Sequence, residues 1–273
     1  MISSMNVVRR GSGVPLIAIH GNGVDHRLLL ALDDCFAKSG DWERIYLDLP
    51  GFGQTAPLDG LGGIPELARW LVEVVGGLVG KRPFALLANS MGGLLARHVV
   101  SVFAEQVIGL ALIAPVVEPD VSLRRLPAFV VPESDVELLE SLTPSDCEEF
   151  AAMAVRQDAE SWRAFRDHAL PGLRAADQAA MDRLSQRYYL EERPEDVFNR
   201  FEGPTVIITG RQDHVVGFED QFSLLAHYPR ASYVVIDGAG HNVHLEQPAI
   251  AEAVLQAWAQ DAVLTARGLD DAQ

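Results

Sequence analysis

The sequence predicts a mostly parallel, doubly wound α/β sheet of about seven to eight strands, with a helical segment inserted into it. Three observations predict this. Short, near-continuous apolar runs alternate with longer stretches of helical periodicity over residues 16–113. The same rhythm returns over residues 205–264. Between them, residues 117–201 break the rhythm and are rich in Glu, Asp, Arg and Ala.

Taken in order, residues 16–19 read as a buried strand and 27–37 as a helix. Residues 44–48 form a strand that ends in a Pro-Gly turn, and 64–78 carry apolar residues at helical spacing. A buried strand over 84–88, a helix over 91–103 and a strand over 107–113 follow. The inserted segment shows no convincing strand. About four helices are expected there, with starts at Pro132-Glu133-Ser134, Thr143-Pro144-Ser145 and Asp158. Strands over 205–209 and 233–236 and helices over 219–228 and 246–264 complete the chain, and disorder is expected only over 268–273. The organisation is thus a core of residues 1–116 and 202–273 with residues 117–201 as a helical excursion. Because that excursion interrupts the sheet, a lid over a site is favoured over a solvated bundle of surface helices.

The composition suits a globular chain, with 48% hydrophobic and 22% charged residues. A net charge of −16 repels phosphate backbones and argues against nucleic-acid binding. No apolar run approaches the roughly 18 residues needed to span a membrane, and the run at 14–19 is too short for a signal-peptide core, so a cytoplasmic protein is expected. Cys35 and Cys147 suggest structural thiols in a reducing compartment, not a disulfide framework. The expected partner is a small-molecule substrate bound by a monomer or homodimer.

Four short motifs carry chemistry. Ala88-Asn89-Ser90-Met91-Gly92-Gly93 lies between a strand and a helix. A nucleophile elbow needs that context, with small residues flanking a serine in a strained turn. The common form has Gly where this chain has Ala88. His20-Gly21-Asn22-Gly23 follows the first strong strand and can supply one oxyanion donor, the N–H of Asn22, with Gly23 the close alternative. Met91, after the nucleophile, supplies the other. Gly210-Arg211-Gln212-Asp213 and Gly238-Ala239-Gly240-His241 each follow a strand. Each motif alone could be an ordinary turn. Together, Ser90, Asp213 and His241 occur in the chain order expected of a nucleophile, acid and base on this architecture.

With these motifs, and with Asp48-Leu49-Pro50-Gly51-Phe52-Gly53 and Glu246-Gln247-Pro248, the chain resembles the α/β-hydrolase superfamily over nearly its whole length. The resemblance implies that residues 117–201 are a helical cap. Members commonly have two antiparallel strands before the His-Gly strand. Only about a dozen residues are available here, which implies seven strands rather than eight.

The implied chemistry is two-step acyl transfer on a carboxylic ester, lactone or thioester, with no metal and no cofactor. The elbow Asn89-Ser90-Met91-Gly92-Gly93 is similar to that of the meta-cleavage-product hydrolases, so carbon–carbon hydrolysis of a diketone is the runner-up. Those enzymes typically carry Trp after the histidine, where this chain has Asn242. A small-molecule receptor on the same scaffold is a third reading. Enzymes with an Asp nucleophile, such as epoxide hydrolases and haloalkane dehalogenases, are disfavoured by Ser90. Glu118, Asp120 and Asp237 are rival positions for the acid. His26, Trp162 and Phe165 are candidate substrate-binding residues, with His244 a further one; ordinary packing is the alternative for each.

Overall fold

The computed structural model describes residues 5–270. The chain opens with β1 (Val7–Arg10), β2 (Val14–Ile19), α1 (Arg27–Leu30), α2 (Asp33–Ala37) and β3 (Trp42–Leu47). Next come α3 (Ile64–Val79), β4 (Phe84–Asn89), α4 (Met91–Phe103) and β5 (Val107–Ile113). The inserted segment holds β6 (Glu133–Ser134), α5 (Val136–Ser141), α6 (Pro144–Met153), β7 (Arg156–Gln157), α7 (Ala159–His168), α8 (Leu170–Ala175), α9 (Gln178–Gln186) and α10 (Pro194–Phe198). The core resumes with β8 (Thr205–Gly210), β9 (Ala231–Ile236), α11 (Val243–Glu246) and α12 (Pro248–Asp270).

Seven strands form one sheet in the order β1-β3-β2-β4-β5-β8-β9. Only β1, paired with β3, is antiparallel. Side chains alternate along each central strand, so each strand feeds two cores. Ile17, Ile19, Leu86 and Leu112 join α3 and α4 on one face. Leu16, Ala18, Leu87 and Ile113 join α2 and α12 on the other. Burial on both faces is why the strands read as continuous apolar runs rather than alternating ones. The chain steps from β2 outward to β3, then back across to β4 on the other side. That reversal opens a crevice beyond the C-terminal ends of β2 and β4.

Several elements differ from expectation. The helix expected over 27–37 is broken at Leu32 (φ −98°, ψ 4°). The break turns Asp33 onto Arg44 Nε at 2.8 Å and the Tyr46 hydroxyl at 2.9 Å. The helix expected over 246–264 is split, because Gln247 precedes Pro248 and takes φ −133°, ψ 58°. Residues 220–226 tighten into a 3₁₀ helix. The inserted segment has six α-helices, not four, and a two-stranded parallel ladder joining Glu133 to Arg156. Pro132-Glu133-Ser134 enters that ladder instead of a helix, and the Asp135 side chain caps α5. Thr143 and Asp158 cap helices as predicted. Helix α12 continues through Asp270, and residues 271–273 lie outside the described residues. No helix among the described residues is long and apolar enough to cross a membrane.

Candidate active site

Ser90 joins β4 to α4 at φ 53°, ψ −119°, a region that non-glycine residues rarely occupy. Its surroundings enforce the strain. Its N–H donates to Ile113 O at 3.0 Å, and its carbonyl accepts from Gly93 and Val116 at 2.9 and 3.0 Å. A Cβ on Gly92 would sit 2.3 Å from Ile19 O, and one on Gly93 would sit 2.6 Å from the Pro115 side chain. The glycines after Ser90 therefore serve the close approach of α4 to the end of β2 and to Pro115. Met91 is the first residue of α4, so its N–H has no acceptor within the helix.

The loop after β2 comes up against this elbow. A Cβ on Gly21 would lie 2.9 Å from Ser90 Cβ, so glycine sets how closely the loop can approach. Asn22 borders the cavity that Ser90 opens onto. Gly23, the alternative oxyanion donor, has φ +77° and faces Leu173 of the inserted segment. His20 holds the loop in place. Its Nε2 accepts from Leu49 N–H at 2.9 Å, so Nδ1–H donates to Gly21 O at 2.7 Å. Burial lowers the pKa of His20, in keeping with a neutral ring that must accept at one nitrogen.

His241 Nδ1 lies 2.9 Å from Asp213 Oδ2. The other oxygen of Asp213 accepts from Val215 and Val216 N–H at 2.8 and 3.0 Å, which fixes the carboxylate. A Cβ on Gly210 would meet Gly240 O at 2.2 Å, so the loops after β8 and β9 touch through glycine. The carboxylates of the rival acids have hydrogen-bond partners other than His241, although Asp120 also borders the cavity that Ser90 lines. Asp237 accepts from Gln212 Nε2, Asp120 from Ser122, and Glu118 from Asp120 N–H. Ser90 and His241 line one cavity of about 710 Å³, with no hydrogen bond between them. A separate cavity of about 290 Å³, beside Arg97 and Glu195, reaches neither residue.

Three proposed substrate contacts lie elsewhere. His26 is turned away from the cavity by Asp48, which accepts from its N–H at 2.9 Å and pairs with its Nδ1 at 2.7 Å. Trp162 and Phe165 pack on Phe150, at ring separations of 5.3 and 5.4 Å, inside an apolar cluster at the base of the inserted segment. His244 is also buried, with its Nε2 on Leu28 O, and burial lowers its pKa to about 4. The inserted segment instead lines the cavity with Pro119, Val121, Met153, Ser185, Tyr188 and Tyr189. Sequence reasoning missed these. Most sit in loops or at helix ends, where periodicity marks no inward face. Asp25, His26 and Asp48 have ligand-type atoms within 4.8 Å of one another, but Arg27 engages Asp25, and Asp48 engages His26. Cys35 and Cys147 are free thiols, and burial pushes the Cys35 pKa up to about 11.

Comparison with known proteins agrees with this architecture. The chain is 32% identical over 114 residues to a pimeloyl–acyl-carrier-protein methyl ester esterase of Shewanella woodyi, a match covering 42% of this chain and only 41% of that esterase. It is 24% identical to the (E)-2-((N-methylformamido)methylene)succinate hydrolase of Acinetobacter baylyi, with 91% of each chain covered. Among solved structures, an alpha/beta superfamily hydrolase from Oenococcus oeni PSU-1 superposes with a TM-score of 0.86 at 26% identity, over 94% of this chain and 96% of that one. The profile of the alpha/beta hydrolase family matches residues 16–253, and the chain belongs to that family.

Proposed function

We propose that the protein is a serine hydrolase that cleaves a carboxylic ester, lactone or thioester of a small molecule, with residues 117–201 acting as its cap. The observation that carries this reading is the Asp213–His241 hydrogen bond beside a cavity shared with the strained Ser90. With Nδ1–H donated to Asp213, the lone pair of His241 lies on Nε2, the nitrogen needed to take the proton of Ser90. Ser90 attacks the carbonyl carbon, and the N–H groups of Met91 and Asn22 receive the developing oxyanion. His241 protonates the leaving group, then activates water to release the acid and restore Ser90. Asp213 orients the imidazole and stabilises its charged form. The similarity to an esterase and to a hydrolase supports a carbonyl substrate.

The test is a fluorophosphonate probe combined with a panel of ester, lactone and thioester substrates. Wild type should label stoichiometrically and turn over at least one substrate class, and Ser90→Ala should do neither. Undiminished labelling of Ser90→Ala would reject the reading.

A further inference from the structure

Glu246 is a carboxylate that the acyl-transfer steps do not use, and it is almost completely buried (4% exposed). Among the described residues it has no cationic partner within salt-bridge distance; Arg156 meets it only through its backbone N–H, and the Arg156 guanidinium pairs with Asp158 and Glu133. All its partners are backbone N–H groups, and they come from two different parts of the fold. Oε2 accepts from Gly240, the residue before His241, at 2.6 Å. Oε1 accepts from Val155 at 2.7 Å and Arg156 at 3.3 Å, both in the inserted segment. Burial, and more weakly the Asp213 carboxylate, push the pKa of Glu246 up, while the three N–H groups oppose this. A lone carboxylate here would be costly, and these donors offset the cost.

The surroundings give this bridge a direction. The Val155 side chain packs against Gly240, where an added Cβ would lie 3.0 Å from Val155 Cγ1. Two residues before Val155, Met153 lines the cavity. One residue earlier, Ala152 O pairs with the Nε2 of His214, next to Asp213. Residues 152–156 therefore touch the loop of the acid and the loop of the base while presenting one side chain to the substrate space.

We propose that Glu246 is a positioning residue that couples the inserted segment to the His241 loop. This inference rests on the reading of His241 as the base. A carboxylate suits the role because each of its oxygens faces only donors. An amide of the same size offers one oxygen and one NH₂, so Gln at this position must set a donor against either Gly240 N–H or Val155 N–H. One of the two attachments is then lost while the side-chain volume is kept.

The experiment compares wild type, Glu246→Gln and Ser90→Ala in the full chain. Active sites are counted by fluorophosphonate titration, so kcat is expressed per functional site and is not altered by a smaller folded fraction. Glu246→Gln should exchange its amides faster at 155–156, at 240, or at both, and its per-site kcat should fall about tenfold or more. If Glu246→Gln does not fold, Glu246→Asp keeps the charge, is one methylene shorter, and should show the same pair of effects. Unchanged per-site kcat in a folded variant, with or without a lower melting temperature, would overturn the positioning role. Wild-type turnover by Ser90→Ala would overturn the hydrolase reading and the link to the base with it. Loss of turnover in Ser90→Ala with wild-type turnover in Glu246→Gln overturns the positioning role alone.

Discussion

His26 and Asp48 are joined twice, through the backbone N–H at 2.9 Å and through the ring Nδ1 at 2.7 Å, and the pairing ties the loop after β2 to the loop after β3. Asn6 Nδ2 and Gln54 N–H complete the set of donors to the Asp48 carboxylate. The same two loops are linked again where Leu49 N–H donates to His20. Asn22 stands on the first of these loops, so its placement beside Ser90 depends on groups that never meet the cavity.

Asp48→Asn should therefore destabilise the fold by about 3 kcal/mol, since it leaves several buried donors facing an amide. Burial alone would raise the Asp48 carboxyl. The hydrogen bonds from the His26 ring, Gln54 N–H, His26 N–H and Asn6 outweigh it and hold the pKa well below the usual carboxylate range. A depressed folded-state value contributes stability above the unfolded value of about 3.9, and that contribution is lost as pH falls toward the folded value. Denaturant melts of wild type should lose stability steeply below about pH 4, and Asp48→Asn should lose less over the same range. Parallel pH curves for the two proteins would contradict this.

Asp213→Asn should lower kcat about 10⁴-fold, the loss typical when the acid of a serine-protease triad is made an amide and the histidine tautomer is reversed. Asp237→Asn and Asp120→Asn should stay within a few fold of wild type, because their carboxylates are engaged by Gln212 and Ser122. Steady-state kinetics on one ester for all three variants decides the matter. A larger loss in either of the other two would reassign the acid.

The core of this fold was legible because its constraints are local. Continuous burial wrote the strands as apolar runs, and Met91–Phe103 and Val107–Ile113 have the limits the pattern predicts. Ser90, Asp213 and His241 stand out in the sequence as a candidate set because each follows a strand and has glycines nearby that close approach requires, as the 2.3 Å separation at Gly92 shows. The inserted segment was less legible for the opposite reason. Its helices are short, and most bury only part of one face, so periodicity could fix neither their number nor which residues turn inward. His26 misled because proximity in sequence to Asn22 says nothing of a carboxylate contributed 22 residues later by Asp48. The two-residue ladder between Glu133 and Arg156 is too short to leave any pattern.

The inserted segment divides into a part that holds it down and a part that faces the cavity beside Ser90, and the two should respond differently to truncation. Trp162 and Phe165 pack with Phe150, Val24, Leu28 and Leu245, joining the segment to the core. Met153, Tyr188 and Tyr189 border the cavity with Ser90 and His241. Trp162→Ala and Phe165→Ala should each cost about 3–5 kcal/mol by emptying a packed site, with little change in selectivity among molecules that stay folded. Met153→Ala and Tyr188→Ala should cost less stability and should change the ratio of kcat/KM for a long against a short acyl ester by roughly tenfold, since selectivity follows the walls that touch the acyl chain. Fluorophosphonate labelling of Ser90 should persist in all four variants, because the proposed reacting groups stand on core loops. Thermal melts combined with the two-ester ratio separate the cases. A constant ratio in Met153→Ala and Tyr188→Ala would remove the inserted segment as the specificity element and shift that role to Val116, Val215 and Val216, which line the same cavity from the core.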